Sequence, residues 1–204
     1  MTVAALGLTV KSGWASAVLL TRTGGSLRVA DCRTVLLSDP DVADARQPYH
    51  AGFGTARAAG AGLSRLLTSV KRFGAKSMSD LLRAHRLAGH QIRGAGVVVG
   101  SLVDPRTIGN AHIRIHALEG QLFRTVVTTA LSRRGVACSI WRGRDLSTLA
   151  GERLRKSEHA VRAALADLRP DAGGPWRAEQ KAAALAAWIV LMRRARPPAV
   201  NTVK

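Results

Sequence analysis

The residue types with the most chemical potential in this chain stand together in Asn110-Ala111-His112-Ile113-Arg114-Ile115-His116-Ala117-Leu118-Glu119. His112 and His116 are spaced i, i+4 and Glu119 follows at i+3, so a helix here puts all three on one stripe. Two imidazoles one turn apart can ligate zinc. The same helix start, with its outward N–H groups and Arg114, can instead hold a phosphate. No second pair of His or Cys at ligand spacing accompanies the two histidines, so the stretch reads as a polar helix end that meets phosphate, with no metal assigned. No Walker A sequence is present, and no Ser/His/Asp order stands out.

Charge points the same way as the helix start. Lys and Arg number 31 against 13 Asp and Glu, a net charge of +18. Most of the bases are arginine, whose planar fork suits phosphate, and a field of this sign draws in a polyanion without specifying its sequence. The excess is uneven: residues 1–50 carry five bases and four acids, whereas residues 51–100 carry eight bases and one acid, Asp80. The expected partner is therefore DNA or RNA. Its phosphates would meet Lys11, Arg65, Arg72, His112, Arg114, His116, Arg142, Arg144, Arg177 and Lys181.

Elements must position these groups. With 204 residues and 47% hydrophobic content, one domain with one core is the default. Residues 3–10 and 14–21 read as strands joined by a Lys11-Ser12-Gly13 turn, and a third strand follows Gly24-Gly25 near Leu27–Leu37. Residues 38–54, with Pro40 and Pro48, read as loop. Two basic helices follow, 56–73 and 78–88, separated at Gly74, with Ser77 and Asp80 as a capping box for the second. The span 55–92 is thus expected to be a basic helical hairpin or insertion. Val97-Val98-Val99 reads as a buried parallel strand. An apolar stripe (Ile115, Leu118, Leu122, Val126, Val127, Leu131) makes 111–134 a helix, and Val136–Trp141 a strand, so the three form a right-handed βαβ unit. Asp145 is placed to cap a short helix ending near Leu154. Helices are expected at 157–168 and 176–194, with a basic tail over 197–204 beyond a domain spanning 1–196.

No apolar run is long enough to cross a membrane. The lack of a basic segment ahead of Ala15-Ser16-Ala17 argues against a secretory signal. Cys32 and Cys138 cannot build a disulfide framework and read as small buried thiols, so the expected setting is a reducing cytoplasm.

Three stretches resemble a known group. Leu6-Gly7-Leu8-Thr9-Val10-Lys11-Ser12-Gly13 resembles the first strand and turn of the ribonuclease H-like superfamily, in particular of RuvC-type Holliday-junction resolvases and the YqgF family. Val97–Asp104 is similar to their fourth strand and its exit, and Trp141–Thr148 to the YqgF segment after strand five, with Ala178–Trp188 similar to the closing helix. The resemblance implies an α/β fold with a five-stranded mixed sheet, three antiparallel meander strands plus parallel strands, flanked by helices. It also implies two divalent ions, Mg²⁺ or Mn²⁺, held by carboxylates that clamp a phosphodiester. Here the first-strand acid is replaced by Thr9, Arg142-Gly143-Arg144 stands at the strand-five exit, and Lys181 joins Glu179 on the last helix. The expectation is a nucleic-acid-binding member that does not cleave and needs no cofactor, acting within a larger assembly that includes other protein subunits. The alternatives are a metal-dependent, structure-selective nuclease, for which the resemblance leaves Asp104, Glu119, Asp145 and Glu179 as the fallback acids, and a protein-interaction scaffold.

Overall fold

The computed structural model describes residues 1–52, 55–170 and 173–193. Three long strands open the chain: β1 (Thr2–Lys11), β2 (Trp14–Thr23) and β3 (Ser26–Leu36). A small hairpin, β4 (His50–Gly52) with β5 (Thr55–Ala56), follows, and then helix α1 (Ala61–Leu87). Strand β6 (His90–Val99), helix α2 (Ala111–Arg133) and strand β7 (Cys138–Arg142) form the βαβ unit. Helices α3 (Leu146–Leu154), α4 (Glu158–Asp167) and α5 (Ala178–Leu191) complete the chain.

The five long strands form one sheet in the order β3-β2-β1-β6-β7. β1 pairs antiparallel with β2, and β2 with β3, while β1/β6 and β6/β7 are parallel. This is the mixed meander-plus-parallel sheet expected from the sequence. Alternation along β1 explains its nearly continuous apolar run. Leu6, Leu8 and Val10 join Leu19, Val70, Met78, Phe123 and Val127 under α1 and α2, whereas Ala5 joins Val18, Val98, Leu165, Trp188 and Ile189 under α3, α4 and α5. A strand covered on both faces needs no polar side. One end of the β3 edge is met by Pro170, which forms an isolated parallel bridge with Val29.

The expected break at Gly74 does not occur: α1 is one helix of 27 residues. Gly74 serves packing instead, since a Cβ there would lie 2.5 Å from Val126 Cγ1 and 2.9 Å from the Leu37 carbonyl oxygen. Val70, Gly74, Met78, Leu81, Leu82 and His85 line its buried face, so the helix is part of the core layer rather than a hairpin set apart from it. Asp80 does not start a helix; it pairs with Lys76 and Arg83 on the exposed face. The fourth strand starts seven residues before Val97. Residues 38–54, read as loop, contain β4, and Arg57 staples this segment by donating to the carbonyl oxygens of Pro48 (3.0 Å) and His50 (2.9 Å). Trp176 precedes α5 rather than lying in it, and its indole N–H donates to the Leu165 carbonyl oxygen at 2.9 Å. The tail from 197 lies outside the described residues.

Candidate nucleic-acid interface at the carboxyl edge of the sheet

Because β1, β6 and β7 are parallel, their carboxyl ends share one edge of the sheet, the edge where open α/β sheets bind ligands. The starts of α2 and α5 come to the same edge, α2 on one face and α5 on the other. Lys11, Asp104, the start of α2 with His112, Arg114 and His116, the Arg142–Asp145 corner, and Arg177, Glu179 and Lys181 are gathered there by topology. Arg65 stands near the start of α1, which runs from this edge back to the beginning of β6. Arg65 and Arg72 are exposed and line a shallow depression of about 300 Å³ with Ser64, Thr68 and Ser69.

On the α5 face, Thr9 is buried and its hydroxyl donates to the Glu179 carbonyl oxygen at 2.9 Å. It thus fastens the last helix to β1 at the position where the resemblance implies an acid. Lys11 Nζ lies 3.6 Å from the Glu179 carboxylate. Together with Ser12, Trp14, Arg46 and Gln47 these two residues line a cleft of about 340 Å³. Arg46 is a cation of this cleft that pattern reading of the 38–54 segment did not single out.

Two further acids, Asp104 and Asp145, are held by arginines beside them. Asp104 accepts from Arg106 Nη2 at 2.6 Å and from the Arg106 backbone N–H at 3.0 Å, capping a short 3-10 turn. The guanidinium bond first, and then the backbone N–H, hold its carboxyl below the usual carboxylate range. Asp145 does not cap α3 with its side chain; it accepts from Arg142 Nε, and Arg144 Nε stands 3.7 Å away. Glu119 is fully buried. Among the described residues no three carboxylates converge; the only group of three metal-ligating side chains is His50, His112 and His116.

The histidine cluster lies on the α2 face. The Asn110 side chain accepts from the Ile113 N–H at 3.0 Å and starts α2. His112 and His116 are exposed on the first turns, their Nε2 atoms 3.2 Å apart. Glu119, one turn further in, lies beneath the β4–β5 hairpin, and its Oε1 meets His50 Nδ1 at 2.7 Å. Its Oε2 is buried without a partner. Burial pushes the Glu119 carboxyl above the usual range, opposed by the His50 hydrogen bond and by the charges of His50 and His116. The sequence placed His112, His116 and Glu119 on one stripe but not His50, whose isolated position 62 residues upstream of His112 carries no periodic signal.

No family model matches the chain, and no curated protein matches it. Solved structures do. RuvC from Thermus thermophilus superposes with a TM-score of 0.50 at 13% identity, covering 93% of this chain and 92% of RuvC. The same organism's RuvC in complex with Holliday junction substrate gives 0.51 at 12% identity, with the same coverage. The fold is ribonuclease H-like, as in RuvC, over 93% of this chain and 92% of RuvC.

Proposed function

We propose that this chain is a ribonuclease H-like protein that binds nucleic acid through the carboxyl edge of its sheet and does not cleave it, acting within a larger nucleoprotein assembly. The observation that carries this reading is the pairing at that edge. Thr9 replaces the first-strand acid and bonds to the helix backbone, while Glu179, Asp145 and Asp104 each face a cation, Lys11, Arg142 and Arg106. Lys11, Arg106 and Arg142 compete with divalent ions for these three carboxylates. Its cations, within a chain of net charge +18, favour phosphate oxygens. The RuvC structure with a Holliday junction supports DNA as a ligand this fold can hold.

The test is fluorescence anisotropy with duplex, branched and single-stranded DNA and RNA across a salt series. Binding at low salt whose affinity falls steeply toward moderate salt is expected, because counterions are released from each neutralised phosphate. Incubation of the same substrates with Mg²⁺ or Mn²⁺ is expected to leave them intact. Absent binding at low salt, a flat salt dependence, or cleavage abolished by Glu119→Gln or Asp145→Asn would each overturn the reading.

A further inference from the structure

His112 and His116, counted above among the groups at the phosphate-facing edge, form with His50 a cluster that has the chemistry of a different site. We propose that His50, His112 and His116 bind one transition-metal ion of the zinc class, with Glu119 orienting His50 from behind. Three observations converge. First, one ligand atom from each of the three rings lies within 4.8 Å of the others. Second, the His112 and His116 Nε2 atoms stand 3.2 Å apart. Two nitrogens bound tetrahedrally at about 2.0–2.1 Å from zinc are separated by roughly 3.3 Å, so this pair needs almost no movement to become two ligands. Imidazole nitrogens are also the donors that zinc, copper and nickel prefer over magnesium or calcium.

Third, the outer contact is of the kind metal-bound histidines use. His50 Nδ1 is engaged by the fully buried Glu119 carboxylate at 2.7 Å. In the tautomer that carries its proton on Nδ1, this bond leaves Nε2 as the free lone pair, the arrangement in which a carboxylate raises the basicity of a ligating imidazole. It also supplies a reason for a fully buried carboxylate inside the α2 layer, since a cation one ring away stabilises a buried negative charge. The backbone of His50 is held independently by Arg57, which donates to its carbonyl oxygen at 2.9 Å. The ring is therefore carried by a stapled hairpin rather than by a free loop.

Three histidines leave a fourth tetrahedral position, and the exposure of His112 and His116 opens it to solvent. A water or an anionic oxygen completes the shell there. The ion would also tie the β4–β5 hairpin to the first turns of α2, two segments otherwise joined near this point by the His50–Glu119 contact.

The experiment uses the full tag-free chain, stripped with chelator and titrated with Zn²⁺ by calorimetry, with Co²⁺ absorption as a report of coordination. Wild type is expected to bind one Zn²⁺ per chain, to melt at a higher temperature with the ion than without, and to give the visible bands of tetrahedral Co²⁺. His112→Ala and His116→Ala, both at exposed positions, should melt like the stripped wild type while binding at least 100-fold more weakly. Glu119→Gln should weaken binding about 10- to 100-fold. A 1000-fold excess of Mg²⁺ should not compete. The proposal is overturned if stripped wild type binds less than half an equivalent, if Zn²⁺ leaves its melting unchanged, or if His112→Ala binds as wild type does. Neither set of outcomes depends on whether the chain binds nucleic acid.

Discussion

The contact most sensitive to a single added carbon is the crossing of α5 over β1 at Gly7. A Cβ built on Gly7 overlaps the Ala183 carbonyl oxygen, and it sits 2.6 Å from the Ala183 carbonyl carbon and 3.0 Å from the Ala187 nitrogen. All three are backbone atoms of a helix, so no rotamer change relieves Gly7→Ala; the helix must lift away from the strand. A lift of about 1 Å forfeits a quarter to a half of the dispersion energy at each affected contact. The affected side chains include Ala183, Ala187, Trp188 and Ile189, all buried in the α5-side core. Overpacking of a tight core costs about 1–3 kcal/mol and more where backbone must move, so a loss of about 3–4 kcal/mol is expected. For a domain of this size each kcal/mol is worth about 2–4 °C, placing the fall in Tm at roughly 6–15 °C. Thermal unfolding followed by circular dichroism measures it. Gly100→Ala is the control, because a Cβ there meets nothing within 4 Å. A Gly7→Ala melting within about 2 °C of wild type, with Gly100→Ala also unchanged, would refute the close-approach argument.

His85 is buried on α1, 3.7 Å from Asp31 and near Arg33 and His90; burial lowers its pKa, partly opposed by Asp31. The fold therefore keeps it neutral, so its contribution is intact above pH 6.5 and is lost as the pH falls below that value. The slope is at most about 1.4 kcal/mol per pH unit, and urea midpoints from pH 7.5 to 5 should flatten in His85→Met. Trp176→Phe removes the N–H bonded to Leu165 and leaves that buried carbonyl unpaired, an expected loss of about 1–2 kcal/mol readable as a lower urea midpoint at unchanged m. Lys11→Ala and Arg144→Ala, both exposed cations, should each weaken nucleic-acid binding across sequences and reduce the salt slope by about 1, measured by anisotropy.

The sheet was legible because its strands carry their own evidence. β1 and β2 are apolar runs bracketing a turn at Gly13, whose φ of 83° lies in the left-handed region, and burial on both faces removes any polar alternation that would blur the reading. The α1 break was misread for the opposite reason. Gly74 looks like punctuation in one dimension, but its cause is Val126, on another helix, and the Leu37 backbone. The N-terminal half of β6 was missed because His90, Gln91 and Arg93 are polar or partly exposed there. At the candidate site, the substitution of Thr9 for an acid was visible in the pattern, whereas its hydrogen bond to Glu179 depends on where α5 begins. His50 and Arg46 were out of reach, since a segment without periodicity gives no hint of which distant helix or strand it will meet.

The Val29–Pro170 bridge has a consequence for how the molecule behaves in company. β3 is a terminal strand, and a long terminal strand offers its unused amides to any passing chain. Pro170 lies against that margin and has no amide hydrogen of its own to pass the ladder onward. At this one point the sheet is therefore insulated against the strand-by-strand addition by which exposed edges knit neighbouring molecules into fibres.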